Sequence, residues 1–448
     1  MQKTLWVKAA VVFGLTLALL VPLLMIQGLV NERAYRQNEV IADIAASFAG
    51  QQRVFGPVLV VPYLEQWQET VETLLNGQSN KRQENRTEHS KLYLLPEQLD
   101  VTGLLTAETK QRGLFKVRSY VLDSQFKGVF NIPQEFGKPQ ARHNGSLVVG
   151  KPYLAVAVAD MRGVLDAPGL EWNGLHHSFE QGSGLNFGAT PGMHVALEEL
   201  GNLEGKVTIP VNFTLKLRGL EDLEWVPAGR QTHVSLSSSW PHPGFHGRFL
   251  PDPVTQQVSA DGFRANWSVN SLASNVSENL SQCKEMACFD SFGVRLIDPV
   301  NIYSMSDRAT KYGFLFVCLT FAAIFLYEIL QNLIIHPAQY TLVGLALAMF
   351  FLLLLSLSEH IGFTKAYLIA AIACVGLLVF YLSAVMKSIR RAAGAGFMLA
   401  GLYAALFGLL QSEDNALMLG SILLFVLLTL TMVATRHLDW YSLGHGQK

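Results

Sequence analysis

YGFLFVCLTFAAIFLYEILQNLII, running from Tyr312 to Ile335, decides the fold. Only Glu328 in it is charged at neutral pH. A helix rises about 1.5 Å per residue and the hydrocarbon core of a bilayer is about 30 Å thick, so a run of about 20 apolar residues crosses it. Four more such runs follow: Ala338–Leu357, Ala366–Met386, Ala395–Leu410 and Ala416–Thr435. Their separators are short and polar: Ser358-Glu359-His360, Lys387 to Arg391, and Ser412-Glu413-Asp414-Asn415. So many apolar helices in succession cannot all be buried in a globule of this size. A five-helix membrane bundle is predicted. Gly394, Gly396, Gly401 and Gly408, in and around the shortest run, are expected to favour close helix packing.

Upstream, Ala9 to Val30 carries no charge and follows Lys3 and Lys8. A secretory signal peptide would be shorter and would end in a small-residue cleavage site, so we read an uncleaved signal anchor. Six spans place both termini on one side. That side holds Lys3, Lys8, Lys387, Arg390, Arg391, Arg436 and Lys448, whereas the opposite short loops hold Lys365, Glu359, Glu413 and Asp414. Basic residues mark the cytoplasmic side, so the large intervening region lies outside. Arg33, Arg36, Arg308 and Lys311 flank that region, but long translocated domains largely escape the rule. Tyr312, Tyr327, Tyr367, Tyr381, Trp440 and Tyr441 lie near span ends and are expected at the membrane interface.

The region from 31 to 311 holds most of the charge. Val40, Ile41, Ile44, Ala45 and Phe48 recur at helical spacing, which extends the first helix outward to about Ala49. Beyond Gly50 the period becomes two. Val207, Ile209, Val211, Phe213, Leu215 and Leu217 alternate with polar residues, and Pro210 pushes that strand toward an edge or a bulge. Tyr153–Val158, Val234–Trp240, Leu92–Leu95, Phe115–Val121 and Phe263–Trp267 also read as strands. The expected class is a mostly antiparallel sandwich or distorted barrel. Gln66 to Ser90 is poor in apolar residues and reads as a mobile loop or a hairpin tip.

The whole chain has 448 residues, 50% hydrophobic, 15% charged, with a net charge of −1. That balance excludes a general nucleic-acid binder. Of four cysteines, Cys318 and Cys374 sit inside spans as packing residues. Cys283 and Cys288 lie outside, where an oxidising compartment allows a disulfide closing a small loop; two free thiols are the alternative.

Catalytic motifs of the phosphate-loop, zincin, dithiol and nucleophile-elbow types are absent. Gly182-Ser183-Gly184 reads as a turn, and nothing fixes a metal geometry for His176, His177 and His194. His242 and His246 have the spacing of a helical metal pair, but Pro241, Pro243 and Gly244 forbid a regular helix. The segment Trp240 to Pro251 reads instead as a rigid aromatic loop that packs the domain or forms a contact surface. Glu328 lies toward the cytoplasmic end of its helix, where reaching water is cheap. Asp307, Arg308 and Lys311 precede the second span and are expected to dock the outer domain onto the bundle or onto lipid headgroups. Glu359 and His360 sit at an outer helix end.

Several stretches together resemble the CreD family of Gram-negative inner-membrane, cell-envelope integrity proteins. They are Val158–Gly163, Val226–Arg230, Ser239 through Pro251, Gly262–Trp267, Asp307–Tyr312, His336–Tyr340, Leu357–Phe363 and Asp439–Tyr441. The resemblance runs through nearly the whole chain. It implies an inner-membrane location and a role in envelope integrity, tied to a two-component response to β-lactam-type wall stress and to colicin tolerance. It brings no catalytic residues and no cofactor. The pair Cys283 and Cys288 departs from the family pattern.

The chain is therefore expected to be an α+β membrane protein with six transmembrane helices, one N-terminal and five C-terminal, and a large β-rich periplasmic domain between the first and second. The expected limits are an anchor over 1–30, a mostly-β domain over 31–311, a bundle over 312–435 and a cytoplasmic tail over 436–448. The function expected is non-enzymatic envelope maintenance, with the bilayer and a periplasmic protein, membrane protein or wall component as partners. The rival is a membrane enzyme or transporter of a lipid or wall precursor. Candidate functional residues are Asp160, Arg162, His242, Asp307, Arg308, Glu359 and His360.

Overall fold

The computed structural model describes residues 2–75, 78–142, 145–185, 191–198, 200, 205–280, 282–298, 301–330, 335–412 and 415–436. The positions Glu413, Asp414, Trp440, Tyr441 and Lys448, which the sequence places in a loop and at an interface or terminus, lie outside them. The chain divides into two compact units, Met1–Glu39 with Val300–Lys448, and Val40–Pro299.

The first unit is helical. Helix α1 covers Gln2–Ala18 and α2 covers Leu20–Ser47, the break falling where Pro22 withdraws a donor and crowds the carbonyl four residues back. A single turn, α3 (Val276–Asn279), belongs to the other unit. Then come α4 (Ile302–Leu330), α5 (Pro337–Ile361), α6 (Phe363–Val385), α7 (Ile389–Gln411) and α8 (Ala416–Thr435). Helix α4 begins before the apolar run that opens at Tyr312, so the unit limits differ from the expected 31–311. Among the described residues five helices are long and apolar enough to cross a membrane; the apolar stretch of α8, Met418–Val433, is shorter.

Helix α5 starts sharply because His336 caps it. Its Nδ1 accepts from the Ala338 N–H at 3.2 Å, its own N–H donates to Gln339 Oε1 at 3.0 Å, and Pro337 occupies the first turn. Between the helices lies an aromatic core in which Phe316 and Phe350 each stand 4.6 Å from the Tyr403 ring. Tyr367 is buried there and donates to the Tyr403 carbonyl at 2.8 Å, so it is a core residue and not an interfacial one. Its polar tip must find a partner where water is absent. Of the four glycines expected to bring helices together, only Gly396 does so, against Val379; a Cβ on Gly394, Gly401 or Gly408 would meet open space. Outward-facing Ile372, Phe380, Phe397 and Phe425 form an apolar surface suited to lipid.

The second unit is built on two sheets. The first orders as β14 (Pro243–Gly247), β17 (Phe292–Leu296), β12 (Asp222–Val226), β1 (Gln52–Leu75), β6 (Tyr153–Val158), β10 (Gly192–Ala196) and β9 (Glu180–Gln181), with β2 (Gln78–Leu94) and β5 (Ser146–Val149) also on β1. The second orders as β15 (Gln257–Ser259), β16 (Gly262–Asn270), β13 (Gln231–Ser238), β3 (Gln98–Arg112), β4 (Phe115–Ile132), β11 (Val207–Leu220), β7 (Gly169–Trp172) and β8 (Leu175–Ser178). Their inward faces share one apolar core that holds Phe55, Phe126, Trp172, Trp225 and Trp267. Pairing is antiparallel except for β1 with β12 and β3 with β13.

The strand with Pro210 is internal, contrary to the edge expected. Its carbonyl accepts from the Asn173 N–H in the β7–β8 turn at 3.2 Å, so the missing donor faces the side where pairing with β7 has already ended. Gln66 to Ser90 is the outer part of a long hairpin in register from Leu59↔Leu94 to Leu75↔Gln78. Val40, Ile41, Ile44 and Phe48 at the end of α2 pack with Val117 and Leu220, as the helical spacing implied. Cys283 and Cys288 form a disulfide. Cys374 is buried and Cys318 half-buried, both free.

Candidate functional site

Strand β12 begins Asp222-Leu-Glu224, and alternation puts both carboxylates on one face. Antiparallel pairing sets Glu224 opposite Gly293 of β17, and Gly293 opposite His246 of β14. On the other side Glu224 lies opposite Arg53 of β1. One row across four strands thus reads His246, Gly293, Glu224, Arg53. In the next row Arg295 faces Asp222.

Gly293 makes the cluster possible. A Cβ there would collide with the Leu223 carbonyl and with Glu224, so the strands approach over bare backbone and the imidazole crosses it. His246 Nε2 lies 2.7 Å from Asp222 Oδ1, and its Nδ1 lies 3.8 Å from Glu224 Oε1. Arg295 donates to Asp222 Oδ2 at 2.6 and 3.1 Å. Arg53 donates to Glu224 Oε2 at 2.5 Å, and Ser291 to the same oxygen at 2.9 Å. Asp222 is 3% exposed, a depth at which an unpaired carboxylate would be costly.

Asp222, Glu224 and His246 are the one group of three among the described residues whose ligand atoms converge, within 4.8 Å of one another. The chemistry of the donors does not favour a divalent cation. Arg295 and Arg53 already balance the two carboxylates, so a doubly charged ion would face two guanidinium groups. A hydrogen-bonded imidazole adds at most one charge. The arrangement is a compensated ion-pair network that fixes the edge strand β14.

The sequence offers His246 only through its spacing from His242, a helical pairing that Pro241, Pro243 and Gly244 exclude. The segment is extended, and the two histidines point into different company. His242 stacks edge-on to Trp240 at 6.0 Å, and its carbonyl accepts from Trp240 Nε1 at 3.1 Å. Arg118 covers the Trp240 ring at 4.5 Å. The loop expected over Trp240 to Pro251 does pack the domain, through Phe245 on Trp267 and Phe249 on Phe292. His194 Nδ1 sits 2.6 Å from the Gly182 carbonyl.

Asp160 and Arg162 form a local brace. Asp160 accepts from the Gly50 N–H at 3.0 Å and from Arg162 Nη2 at 2.6 Å, while Arg162 also donates to the Ala46 carbonyl. The Arg162 guanidinium holds the Asp160 carboxyl below its ordinary 3.8. Gly163 follows because a Cβ would strike Gln52 and the Arg218 carbonyl. Together these residues fix the passage from α2 into β1.

In the helical unit the remaining candidates fall into two contacts. Asp307 accepts from Gln27 at 2.5 Å and pairs with Lys311 at 2.6 Å, while Arg308 is half-buried beside it. Glu359 accepts from the Tyr303 hydroxyl at 3.1 Å and lies 3.7 Å from Arg33, whereas His360 is exposed. Glu328 does not reach water as its position near a helix end implied. It is 3% exposed and bound on both oxygens: by Lys8 of α1 and the Ile335 N–H at 2.8 Å on one, by the Tyr340 hydroxyl at 2.8 Å on the other. Three elements converge on it, and a lone carboxylate in an apolar run, with a lone Lys8 at the head of another, was the signal that could have paired them.

The family described as Inner membrane protein CreD matches residues 4–441. Inner membrane protein CreD of Escherichia coli (strain K12) is 35% identical over 446 residues, covering 99% of this chain and 95% of that protein. A solved M1 zinc metallopeptidase from Deinococcus radiodurans overlaps 39% of each chain at 11% identity with a TM-score of 0.21, too slight a likeness to carry an argument.

Proposed function

The chain belongs to the CreD family of inner membrane proteins, and from that premise we propose that it maintains envelope integrity without catalysing a reaction, its β-rich unit in the periplasm and both termini in the cytoplasm. Lys387, Arg390 and Arg391 all lie around the α6–α7 turn, which supports a cytoplasmic position for that turn. The family resemblance supports a role in the response to wall stress.

The observation that carries this reading is the β1–β2 hairpin. Its base, up to Val61 and Leu92, packs in or on the core of the second unit. Beyond that point the strands stay paired but side chains such as Asn85, Thr87 and His89 are exposed. A bare two-stranded ribbon is marginal in water. This one is braced by β5 on Tyr63–Gln66, and by Arg142, which lies over Trp67 at 4.1 Å and donates to Glu88 at 2.9 Å. A braced arm that adds nothing to the core is a presentation element for a partner, either a periplasmic or membrane protein or a wall component. The polar groups around Asp222, by contrast, are taken up in closing the fold. The rival enzyme or transporter reading has less support, because Glu359 is already engaged by Tyr303 and Arg33.

Photo-crosslinking in living cells, with probes at Asn85 and Thr87, tests the proposal. A discrete protein or wall adduct that disappears when the probe is moved to buried Val60 supports it. Turnover of a lipid or muropeptide by the purified chain would sink the non-catalytic reading.

A further inference from the structure

A groove of about 430 Å³ runs between α2 and α4 within the helical unit. Its lower wall is Leu20, Leu24 and Phe314, with Leu24 66% exposed. Its upper end carries Gln27, Asp307 and Lys311. Gln27 lies seven positions after Leu20, and Phe314 seven after Asp307, so the apolar part extends about 10 Å below the polar part on each helix. Lys311 is the last charged residue before the apolar run from Tyr312 to Tyr327 in α4, which puts the polar end at headgroup depth.

We propose that this groove binds one phospholipid with an ammonium-bearing zwitterionic head, phosphatidylethanolamine. Charge complementarity selects the occupant. Asp307 and Lys311 lie side by side, 2.6 Å apart, and together carry no net charge. A phosphoethanolamine head carries the same pair of charges. Its ammonium donates to the Asp307 carboxylate, and its phosphate accepts from Lys311. The Lys311 side chain is 67% exposed and free to turn from Asp307 to the phosphate. An anionic glycerol head would set its phosphate beside Asp307 with no cation to offer in return. A choline head has a cation but no N–H to donate. One acyl chain then lies on Leu20, Leu24 and Phe314.

The test is native mass spectrometry of the full-length chain released from nanodiscs containing equal parts of phosphatidylethanolamine, phosphatidylglycerol and phosphatidylcholine. One phosphatidylethanolamine is expected to stay bound in about ten-fold preference to either other lipid, the worth of one charge-assisted hydrogen bond. Asp307→Asn should remove that preference. Leu24→Trp, which fills the groove and leaves both charges in place, should remove the bound lipid altogether. Equal retention of the three lipids, or a preference that survives either substitution, would overturn the proposal and leave ordinary annular lipid. Should Asp307→Asn not fold, the Leu24→Trp result alone decides.

Discussion

His246 reaches Asp222 at 2.7 Å across Gly293, the residue that separates their two strands. The contact exists because the intervening strand has no side chain at that point. Gly293→Val is therefore expected to cost about 1–3 kcal/mol through overpacking, and His246→Ala about 1 kcal/mol, since the imidazole is partly exposed and makes one short hydrogen bond. Thermal melts of the full-length chain followed by near-UV circular dichroism measure both. A Gly293→Val protein as stable as the parent would mean that the strands can part without loss.

Asp160 and Glu221 should give opposite pH responses. The Asp160 carboxyl is held below its ordinary 3.8, chiefly by the hydrogen bond from Arg162. Its contribution to stability is present above that value and is lost as pH falls through the lowered one. Burial raises the Glu221 carboxyl above its ordinary 4.5. Its charged form is disfavoured in the fold, so its ionisation removes stability as pH rises above 4.5. Asp160→Asn should flatten the acid limb of the stability profile below about pH 4, and Glu221→Gln should raise stability at neutral pH. Both are read from denaturant midpoints across pH 3 to 8.

Glu328 and Lys8 should behave as a coupled pair. Lys8→Met leaves a buried carboxylate short of its cation, and Glu328→Gln leaves Lys8 without its anion. The double variant should be less damaged than the two single losses summed, by about 0.5–3 kcal/mol. Unfolding of the full-length chain in mixed micelles with rising sodium dodecyl sulfate gives the cycle. Simple additivity would show that the contact contributes nothing of its own.

Tyr367→Phe should cost about 1 kcal/mol in the same assay, because the hydroxyl's hydrogen bond to the Tyr403 carbonyl inside the bundle is lost while ring packing on Phe350 is kept. An interfacial tyrosine would show little change, and its loss would instead alter partitioning at the membrane surface.

Membrane spans are legible in one sequence because their cause is local. Each apolar run must satisfy its own backbone in lipid, so length and composition suffice to name it. Strand alternation in β11 and the helical spacing at Val40 to Phe48 are legible for the same reason. The pairing of Arg53, Asp222, Glu224, His246 and Arg295 is not, since four strands from separate parts of the sequence come together only through register. The Asp222-x-Glu224 spacing is the one local signal for half of it, and it was not singled out; nothing local marks the arginines that balance it. The place of Tyr367 near a span end reads as interfacial, but the neighbouring helices decide that it faces Tyr403.

By itself the sequence determined the class of this protein, an N-terminal apolar helix, a large β-rich insertion and a C-terminal group of apolar helices, because hydrophobic periodicity acts over a few residues. Only the tertiary structure decided which charges are paired, whether Gln66 to Ser90 is a loop or an arm, and that Glu328 is enclosed by Lys8 and Tyr340. Those outcomes depend on which distant segments meet, and the free energy of such meetings is not written in any one segment.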